Sequence, residues 1–459
     1  MNLKTDKTKK MVAEQKRFLK HNLLVIIILL FSIFGNGQQK FMQVELFPTQ
    51  EEHAHGATIV ELPNGDMLAA WFQGHGERWA DDVRILGARL AKGENKWSEP
   101  FLMADVPDFP DINPVLFIDQ QKTLWLVWYT VIANQWSTSL PKYRISKNYM
   151  QKNGAPEWDW QDVIHFKPGD KTERGIQPND KFVKSVEEQI SVQRDKLTSE
   201  GNTENLLKRY DGYAQQMLAK SRGEDMIESG RLILDDGTKE DAKLGYPYFR
   251  RMGWQSKNKP VFVGDRIIIP FYSDGFGFSI MAITDDFGKT WQFSNPLVGA
   301  GNIQPTMAFK KDGTIVAYMR DNGPLPKRHM VSESKDNGMT WGSVTDCQLV
   351  NEGSGSDMVT LANGNWLIVY NDTENGRYTL AVTVSEDEGK TWKYIRHIEL
   401  DENDDFDKRS KYSYPSVIQG EDGMIHVIYS YHKYNNIPYD DDTIKYIRFT
   451  EDWVKEGDK

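Results

Sequence analysis

The sequence predicts an all-β protein, a six-bladed β-propeller with one helical insertion, from two repeats and one break in their spacing. Copies of the octapeptide Ser/Thr-x-Asp-x-Gly-x-Thr-Trp begin at Thr284, Ser334 and Ser385. They lie about 50 residues apart, a period typical of propellers, solenoids and arrays. The aspartate caps backbone N–H groups, the glycine adopts a positive φ, and Thr-Trp begins a strand with a ring to bury. Each copy therefore predicts a β-hairpin turn.

A second repeat counts the blades. A polar turn followed by an apolar run occurs six times, which predicts six antiparallel meanders of about four strands each. Seven blades stay possible if residues 143–160 contain a degenerate one. The six turns contain Gly65, Gln121, Asp265, Gly313, Gly364 and Gly423.

The spacing breaks once, between the second and third turns, where about 140 residues replace the usual 50 or so. The excess, about residues 167–245, has apolar residues at helical spacing, as at Phe182, Val186 and Ile190 and again at Tyr210 and Ala214. We predict a helical hairpin inserted in a blade connection. Such insertions often roof a binding face, although a solvated decoration far from any site is the alternative.

The first 38 residues differ from the rest. A Lys-rich stretch precedes an apolar run of about a dozen residues, which is too short to span a bilayer and typical of a signal peptide. We predict a signal peptide over 1–38, a catalytic propeller over 39–459, and export to the periplasm or outside the cell. An uncleaved anchor is the alternative. The net charge of −10 argues against a nucleic-acid or anionic-membrane partner, but it leaves an acidic sugar open.

The inner strands of the blades are expected to bring six polar residues together. Each of these strands begins with a polar residue and then becomes apolar, and four of the polar residues precede proline, which favours an extended backbone. Such residues can form a pocket floor, or they can be strand-start residues that satisfy backbone groups. The six are His55, Asn113, Lys259, Gln304, Asp357 and Tyr414.

Further candidates lie near this ring. Tyr272 and His75 follow second strands, and the cations Lys257, Arg251 and Arg320 are suited to holding a carboxylate or sulfate. The His53-x-His55 pattern and His75 allow a zinc site, but no further Cys/His cluster supports it, and we expect neither a metal nor a cofactor.

Together these features resemble the sialidase-like BNR/Asp-box repeat proteins. The likeness spans Glu51 to Arg448 apart from the insertion, and it rests on the three octapeptides and the six strand entries. It implies a propeller fold that hosts many activities. An exo-sialidase of this kind binds a carboxylate with three arginines, the first in an Arg-Ile-Pro-like phrase, and uses a Tyr–Glu nucleophile pair with an aspartate. Arg320 and Tyr414 resemble two of these residues, but no Arg-Ile-Pro occurs.

The candidate residues are also similar to those of propeller-fold lyases and dehydratases that act on uronate oligosaccharides such as those of ulvan. In β-elimination a cation neutralises the uronate carboxylate, a base removes the C5 proton, and an acid assists the group leaving C4. Lys259 and Arg320 would supply the cation, His55 the base and Tyr414 the acid, the last two being interchangeable. A leaving sugar makes a lyase and a leaving hydroxyl a dehydratase, and a roofing insertion would favour action at the chain end. Substrate-binding roles are expected for Asn113, Gln304, Asp357, His75, Arg251, Lys257 and Tyr272.

Two alternatives remain. One is an exo-α-sialidase-type glycoside hydrolase, and the other is a non-catalytic sugar-binding propeller. All three interpretations share a sugar ligand, and they differ in whether water or a sugar is eliminated, a glycosidic bond is hydrolysed, or the ligand is only bound.

Overall fold

A computed structural model of the protein shows the predicted six-bladed β-propeller. The structure describes residues 41–169, 180–222, 251–435 and 441–458, and the backbone alone of 227–233 and 239–245. The predicted signal peptide over 1–38 lies outside the described residues and stays a prediction. Among the described helices, none combines the length and apolar character needed to cross a bilayer.

Each blade is an antiparallel sheet, and its strands follow one another from the inside outward. The strands of blades 1 and 2 are β2 His53–Glu61, β3 Met67–Gly74, β4 Arg84–Leu90, β5 Phe101–Ala104, β6 Asp111–Ile118, β7 Leu124–Val131, β8 Ser139–Ser146 and β9 Trp160–Val163. Residues 143–160 therefore belong to the outer half of blade 2, and the seven-blade alternative is wrong.

Blade 3 has a split inner strand. The strands of blades 3 and 4 are β12 Gln255–Ser256, β13 Val261–Val263, β14 Arg266–Ser273, β15 Phe278–Thr284, β16 Gln292–Phe293, β17 Asn302–Phe309, β18 Ile315–Asp321, β19 Arg328–Ser334 and β20 Thr345–Val350. The strands of blades 5 and 6 are β21 Asp357–Thr360, β22 Trp366–Tyr370, β23 Thr379–Ser385, β24 Tyr394–Leu400, β25 Lys411–Gln419, β26 Ile425–Lys433 and β27 Asp441–Phe449.

The beginning of the described chain completes blade 6. The strand β1 (Phe41–Glu45) is the fourth strand of that blade and is hydrogen-bonded to β27. Beyond it, the amide of Gln50 donates to the carbonyl of Asp442 at 3.0 Å, and the amide of Asp442 donates back at 2.7 Å. Residues from both ends of the propeller chain thus share one sheet, which closes the ring of blades.

The three octapeptides form turns between the third and fourth strands of blades 3, 4 and 5, as predicted. In the first copy, Asp286 accepts hydrogen bonds from the amide and the hydroxyl of Thr290 at 2.8 and 2.7 Å. Gly288 has a φ of 86°, and its amide donates to Thr284 Oγ1 at 2.8 Å. Because the carboxylate satisfies the turn's own backbone, and the copies in blades 4 and 5 make the same bonds, these residues fasten the outer edges of blades 3, 4 and 5 and are not free for catalysis.

The propeller core lies between neighbouring blades, since each sheet packs on both faces. All eight residues of β3 and all eight of β7 are buried. Their largest side chains, Trp71, Trp125 and Trp128, are at most 1% exposed. A strand that is buried on both faces has apolar side chains along nearly its whole length. This is why each predicted turn is followed by an apolar run in the sequence.

The insertion contains two helices, α1 (Lys181–Ser199) and α2 (Glu204–Arg222), and a hairpin of β10 (Ile227–Ile233) and β11 (Lys239–Gly245). Asp180 caps α1 by accepting from the amide of Val183 at 3.1 Å. The apolar faces of both helices pack on blade 3, where the rings of Phe182 and Phe276 lie 5.6 Å apart. A short helix α3 (Glu451–Lys455) follows β27, and 3₁₀ turns occur at Trp136–Thr138 and Phe406–Lys408.

Candidate functional site

The inner strands of four blades share a local irregularity. In β2, β6, β17 and β25 the pairing register shifts over two residues, and the first of those two has a positive φ. These residues are Gly56, Asn113, Gln304 and Tyr414, with φ values of 63°, 49°, 52° and 54°.

The extended backbone expected before proline is therefore wrong at Asn113, Gln304 and Tyr414. A non-glycine residue held at positive φ costs on the order of 1–3 kcal/mol, and such strain tends to cluster at functional sites. A β-bulge also re-aims the side chain that it carries. The bulges thus turn these three side chains toward the interior of the ring.

Residues of all six blades converge on one cavity of about 500 Å³. This volume lies within the range of about 300–1,000 Å³ that is usual for small-molecule sites. Most of its lining is polar. The cavity is lined by His55, Phe72, Glu77, Ile112, Asn113, Tyr129, Trp136, Gln255, Tyr272, Asp274, Gln304, Arg320, Asn322, Arg377 and Tyr414.

Tyr414 is the centre of the hydrogen bonding in this cavity. Its hydroxyl oxygen accepts from Arg320 Nη1 and from Gln304 Nε2, both at 2.9 Å. Gln304 Nε2 also lies 3.1 Å from the hydroxyl of Tyr272, and its Oε1 lies 3.3 Å from Arg320 Nη1. Two donors on one phenolic oxygen stabilise negative charge there.

A second guanidinium faces the same tyrosine. The Arg377 guanidinium carbon lies 5.6 Å from the centroid of the Tyr414 ring. Arg377 is held from behind, because its Nη2 donates to the carbonyl of Gly353 at 3.2 Å and its Nε lies 3.6 Å from the buried carboxylate of Glu352. Arg320 and Arg377 thus place two positive charges beside one wall of the cavity.

His55 lies against Tyr414, with the two ring centroids 4.2 Å apart. Burial lowers the pKa of His55 well below its usual range, and electrostatic interactions with the neighbouring His432 and His53 lower it further. The imidazole is therefore neutral at pH 7. Within the described part of the chain, its Nδ1 is buried and accepts or donates no hydrogen bond.

Two carboxyl groups line the cavity as well. Burial raises the pKa of Asp274, although Arg320 and other partners oppose this. Burial also favours neutral Glu77, but the hydrogen bond and the charge of His53 outweigh it and lower the pKa of Glu77. The cavity therefore holds one carboxyl that resists ionisation and one that is readily ionised.

The insertion supports the rim that carries Asp274. Lys220 Nζ on α2 donates to the carbonyl of Gly275 at 2.7 Å, and Phe182 on α1 packs on Phe276. None of the described residues of the insertion lines the cavity. In the described part of the chain the helices therefore brace one rim loop and do not form the predicted roof.

The predicted Lys259 and Asp357 do not line the cavity, because they pair with each other. Lys259 Nζ donates to Asp357 Oδ2 at 2.7 Å and to Ser416 Oγ at 2.6 Å. Asp357 also accepts from Thr306 Oγ1 at 2.8 Å and from the amide of Val417 at 2.9 Å. This cluster joins blades 3, 4, 5 and 6.

Lys257 is buried and is also absent from the cavity lining. Its Nζ donates to the carbonyls of Pro415 and Ser356 at 2.7 and 3.2 Å and to Asn258 Oδ1 at 2.8 Å. Burial lowers its pKa to about 7, with further lowering by the charge of Lys259. Lys257 Nζ lies 5.7 Å from the centroid of the Tyr414 ring, so it supports that ring rather than facing the open volume.

The last two predicted residues lie outside the cavity. His75 has a side chain 73% exposed, and its Nδ1 lies 2.6 Å from Asp82. Arg251 is exposed and does not belong to the lining. The predicted residues that the structure brings together in the cavity are His55, Asn113, Tyr272, Gln304, Arg320 and Tyr414.

Of the lining residues absent from the sequence-based set, four lie on first or second strands, namely Phe72, Ile112, Tyr129 and Gln255, and the other five share a position. Each lies in the connection between the second and third strands of its blade, at the same end of the ring as the bulges. Their shared position after the second strand of each repeat was visible in the sequence. The connections differ in length and composition, however, so the repeat alone did not identify these five lining residues. The residues are Glu77, Trp136, Asp274, Asn322 and Arg377.

A histidine cluster lies behind His55. The Nδ1 atoms of His53 and His432 lie 2.8 and 2.6 Å from the two oxygens of Asp442. Burial works against protonated His53, but Asp442 and Glu77 outweigh it and raise the pKa of His53 to about 9. The three side chains have the donor types of a metal site. The two oxygens of Asp442 each bind one of the two imidazoles.

The propeller fold and the polar residues on its inner strands place the protein in a known class of repeat proteins. Residues 65–169 and 254–427, more than half of the chain, match the BNR repeat-like domain family, and the chain belongs to that family. Its propeller is similar to those of sialidases. None of the curated proteins matches the sequence.

Three solved structures illustrate the likeness. A protein of unknown function from Dyadobacter fermentans is 12% identical with a TM-score of 0.55, over 90% of this chain and 100% of that one. The Hadza microbial sialidase Hz136 is 13% identical with a TM-score of 0.55, over 87% of this chain and 66% of that one. The intramolecular trans-sialidase from Ruminococcus gnavus is 15% identical with a TM-score of 0.53, over 88% and 95%. At these identities the likeness concerns the fold alone.

Proposed function

We propose that the protein is a carbon–oxygen lyase that acts on the terminal uronate of acidic, ulvan-like oligosaccharides and eliminates water or a sugar. The observation that carries the proposal is the contact between Tyr414, whose oxygen accepts hydrogen bonds from Arg320 and Gln304, and the neutral ring of His55. A neutral base, a proton donor and two guanidinium groups are what elimination beside a carboxylate needs.

The carboxylate of the uronate would lie between Arg320 and Arg377. Both carry a positive charge, and a guanidinium can bind a carboxylate through two parallel hydrogen bonds. Neutralising the carboxylate makes the C5–H bond more acidic, because the charge that develops during its loss spreads into the carboxyl group. Arg377 takes the place that sequence reasoning assigned to Lys259, whose charge is already paired with Asp357.

The proton transfers follow from the His55–Tyr414 contact. His55, neutral because of its lowered pKa, takes the C5 proton while the C4–O bond breaks and the C4=C5 double bond forms. Tyr414 gives its proton to the leaving oxygen, and the hydrogen bonds from Arg320 and Gln304 stabilise the resulting phenolate. A proton then passes from His55 to Tyr414, whose rings are in contact, and restores the starting state.

A sialidase-type hydrolase is the second candidate, because two arginines flank the tyrosine. A tyrosine nucleophile of that type works with a glutamate that takes its proton. Here the residue beside Tyr414 is Gln304, whose Nε2 donates to the tyrosine oxygen and cannot accept a proton. This observation favours elimination over hydrolysis.

The test incubates the protein with ulvan oligosaccharides and follows the ultraviolet absorbance of a conjugated uronate, with sialyllactose as the parallel substrate. Elimination raises the absorbance, and Tyr414→Phe and His55→Ala each lower kcat by about 100-fold or more. Tyr143→Phe serves as the matched control, since the Tyr143 hydroxyl contacts the carbonyl of Gly288 in the neighbouring blade and is not part of the cavity. Free sialic acid without an absorbance rise would replace the proposal with the hydrolase. Full turnover by both site variants would refute the assigned chemistry.

A further inference from the structure

An ordered aromatic stack continues outward from the cavity. Trp136 lines the cavity, and the guanidinium carbon of Arg78 lies 4.9 Å from its ring centroid. The same guanidinium carbon lies 4.5 Å from the centroid of the Trp79 ring. Trp79 is thus connected to the cavity-lining Trp136 through Arg78, and it is 50% exposed.

The stack is held in place by contacts between blades 1 and 2. Asn134 Nδ2 donates to the carbonyl of Arg78 at 2.9 Å, which ties the two rim loops together. A guanidinium close to two indole rings gains cation–π attraction from both of them. The arrangement restricts the rotamers of Arg78 and Trp79 before any ligand arrives, and preorganised side chains lose less entropy on binding.

Exposure alone would not distinguish Trp79, since single apolar side chains on a surface are common. Trp160 is 58% exposed on β9, the outer strand of blade 2, and it lies close to no guanidinium among the described residues. Trp79 differs because it is fixed by Arg78 and continues a polar cavity. A flat, rigid indole next to a sugar-sized pocket offers the apolar C–H face of a second sugar ring a stacking surface.

We propose that Trp79, held by Arg78, forms a second sugar subsite that binds the residue following the terminal uronate of an acidic oligosaccharide. This subsite rests on the proposed function for the identity of the sugar in the cavity. Trp79 sets a preference for oligosaccharides over single sugars, and Arg78 acts as a positioning residue.

The experiment measures binding by calorimetry in the Tyr414→Phe background, in which turnover is expected to be slower by about 100-fold or more. The probes are free glucuronate, which fills the cavity alone, and an ulvan tetrasaccharide, which reaches the rim. We expect Trp79→Ala to weaken tetrasaccharide binding about tenfold and to change glucuronate binding less than about twofold. Trp79→Phe keeps most of the affinity, and the control Trp160→Ala changes neither ligand.

Three results would overturn the subsite: tetrasaccharide affinity that Trp79→Ala leaves unchanged, equal losses for both probes, or no binding of the tetrasaccharide to the Tyr414→Phe protein. Absorbance measurements on the protein with intact Tyr414 distinguish failure of the subsite from failure of the proposed elimination. An absorbance rise with no dependence on Trp79 removes the subsite and keeps the elimination. Trp79-dependent binding without an absorbance rise removes the elimination and keeps the subsite.

Discussion

The ion pair between Lys259 and Asp357 is expected to hold four blades together, and removing its carboxylate tests this. The Asp357 side chain is 3% exposed and the Lys259 side chain 18% exposed. In Asp357→Ala, Lys259 Nζ loses its charged partner, and the amide of Val417 and the hydroxyl of Thr306 lose an acceptor. Breaking a buried pair from one side costs about 3–5 kcal/mol, because the remaining charge stays buried without compensation.

The assay is urea unfolding at pH 7, with the free energy of unfolding compared between variants. Asp285→Ala breaks the Arg266–Asp285 pair, whose carboxylate is 44% exposed, and is the matched control. We expect the control to cost at most about 1 kcal/mol, since exposed pairs contribute little. The double variant Lys259→Met with Asp357→Leu should lose much less than Asp357→Ala, because it removes both charges and keeps apolar volume.

The same pair makes stability depend on pH at the acid end. Burial opposes ionised Asp357, but the charges of Lys259 and Lys257 outweigh it and lower its pKa. A lowered carboxyl pKa contributes stability that is present above the unfolded value of about 3.9 and is lost as the pH falls below it. If Asp357→Ala had the same free energy of unfolding as Asp285→Ala at pH 7, the Lys259–Asp357 pair would not stabilise the fold. A role of Asp357 in the pocket floor would then explain its position better.

Further predictions concern the histidines and the cavity wall. The raised pKa of His53, about 9, means that protonated His53 contributes stability below about pH 6.5 that is lost as the pH rises through 9, and His53→Gln should remove this dependence from urea unfolding curves. The lowered pKa of His55 places the acid limb of the kcat/KM profile below about pH 6.5; a limb above that value would contradict His55 as the base. Arg377→Ala should lower kcat/KM for uronate elimination by about 10²–10³ through loss of one carboxylate partner, and unchanged kinetics would exclude it from the site. Gln304→Glu should lower elimination by about 10² or more without producing sialic acid release, because it removes a donor from Tyr414 and offsets the charge of Arg320.

The sequence was most informative where structure depends on local chemistry. The octapeptide turns use side-chain oxygens to satisfy amides within a few residues, as in Asp286 and Thr290, so their pattern survives in the linear sequence. The beginnings of the inner strands also share a local pattern. Aligning them located His55, Asn113, Gln304 and Tyr414. Helical spacing likewise predicted α1 and α2.

Ring closure decided which of these residues meet. Lys259 and Asp357 are 98 residues apart, and nothing in their own segments shows that they neutralise each other. The positive φ of Tyr414 before a proline reverses its local preference, because the bulge is imposed by pairing with β26. Arg377 and Asp274 come from connections of different length, so the repeat marks the two connections but not which of their residues face the cavity.

By itself, the sequence therefore predicted six blades with seven left open, the place of the insertion and the end of the ring where polar residues gather, since each depends on contacts within about 50 residues, the length of one repeat. Only the tertiary structure decided that Lys259, Lys257 and Asp357 support the cavity while Arg320 and Arg377 face it. The physical reason is that burial and charge pairing are set by neighbours from other blades, which become neighbours only when the propeller closes.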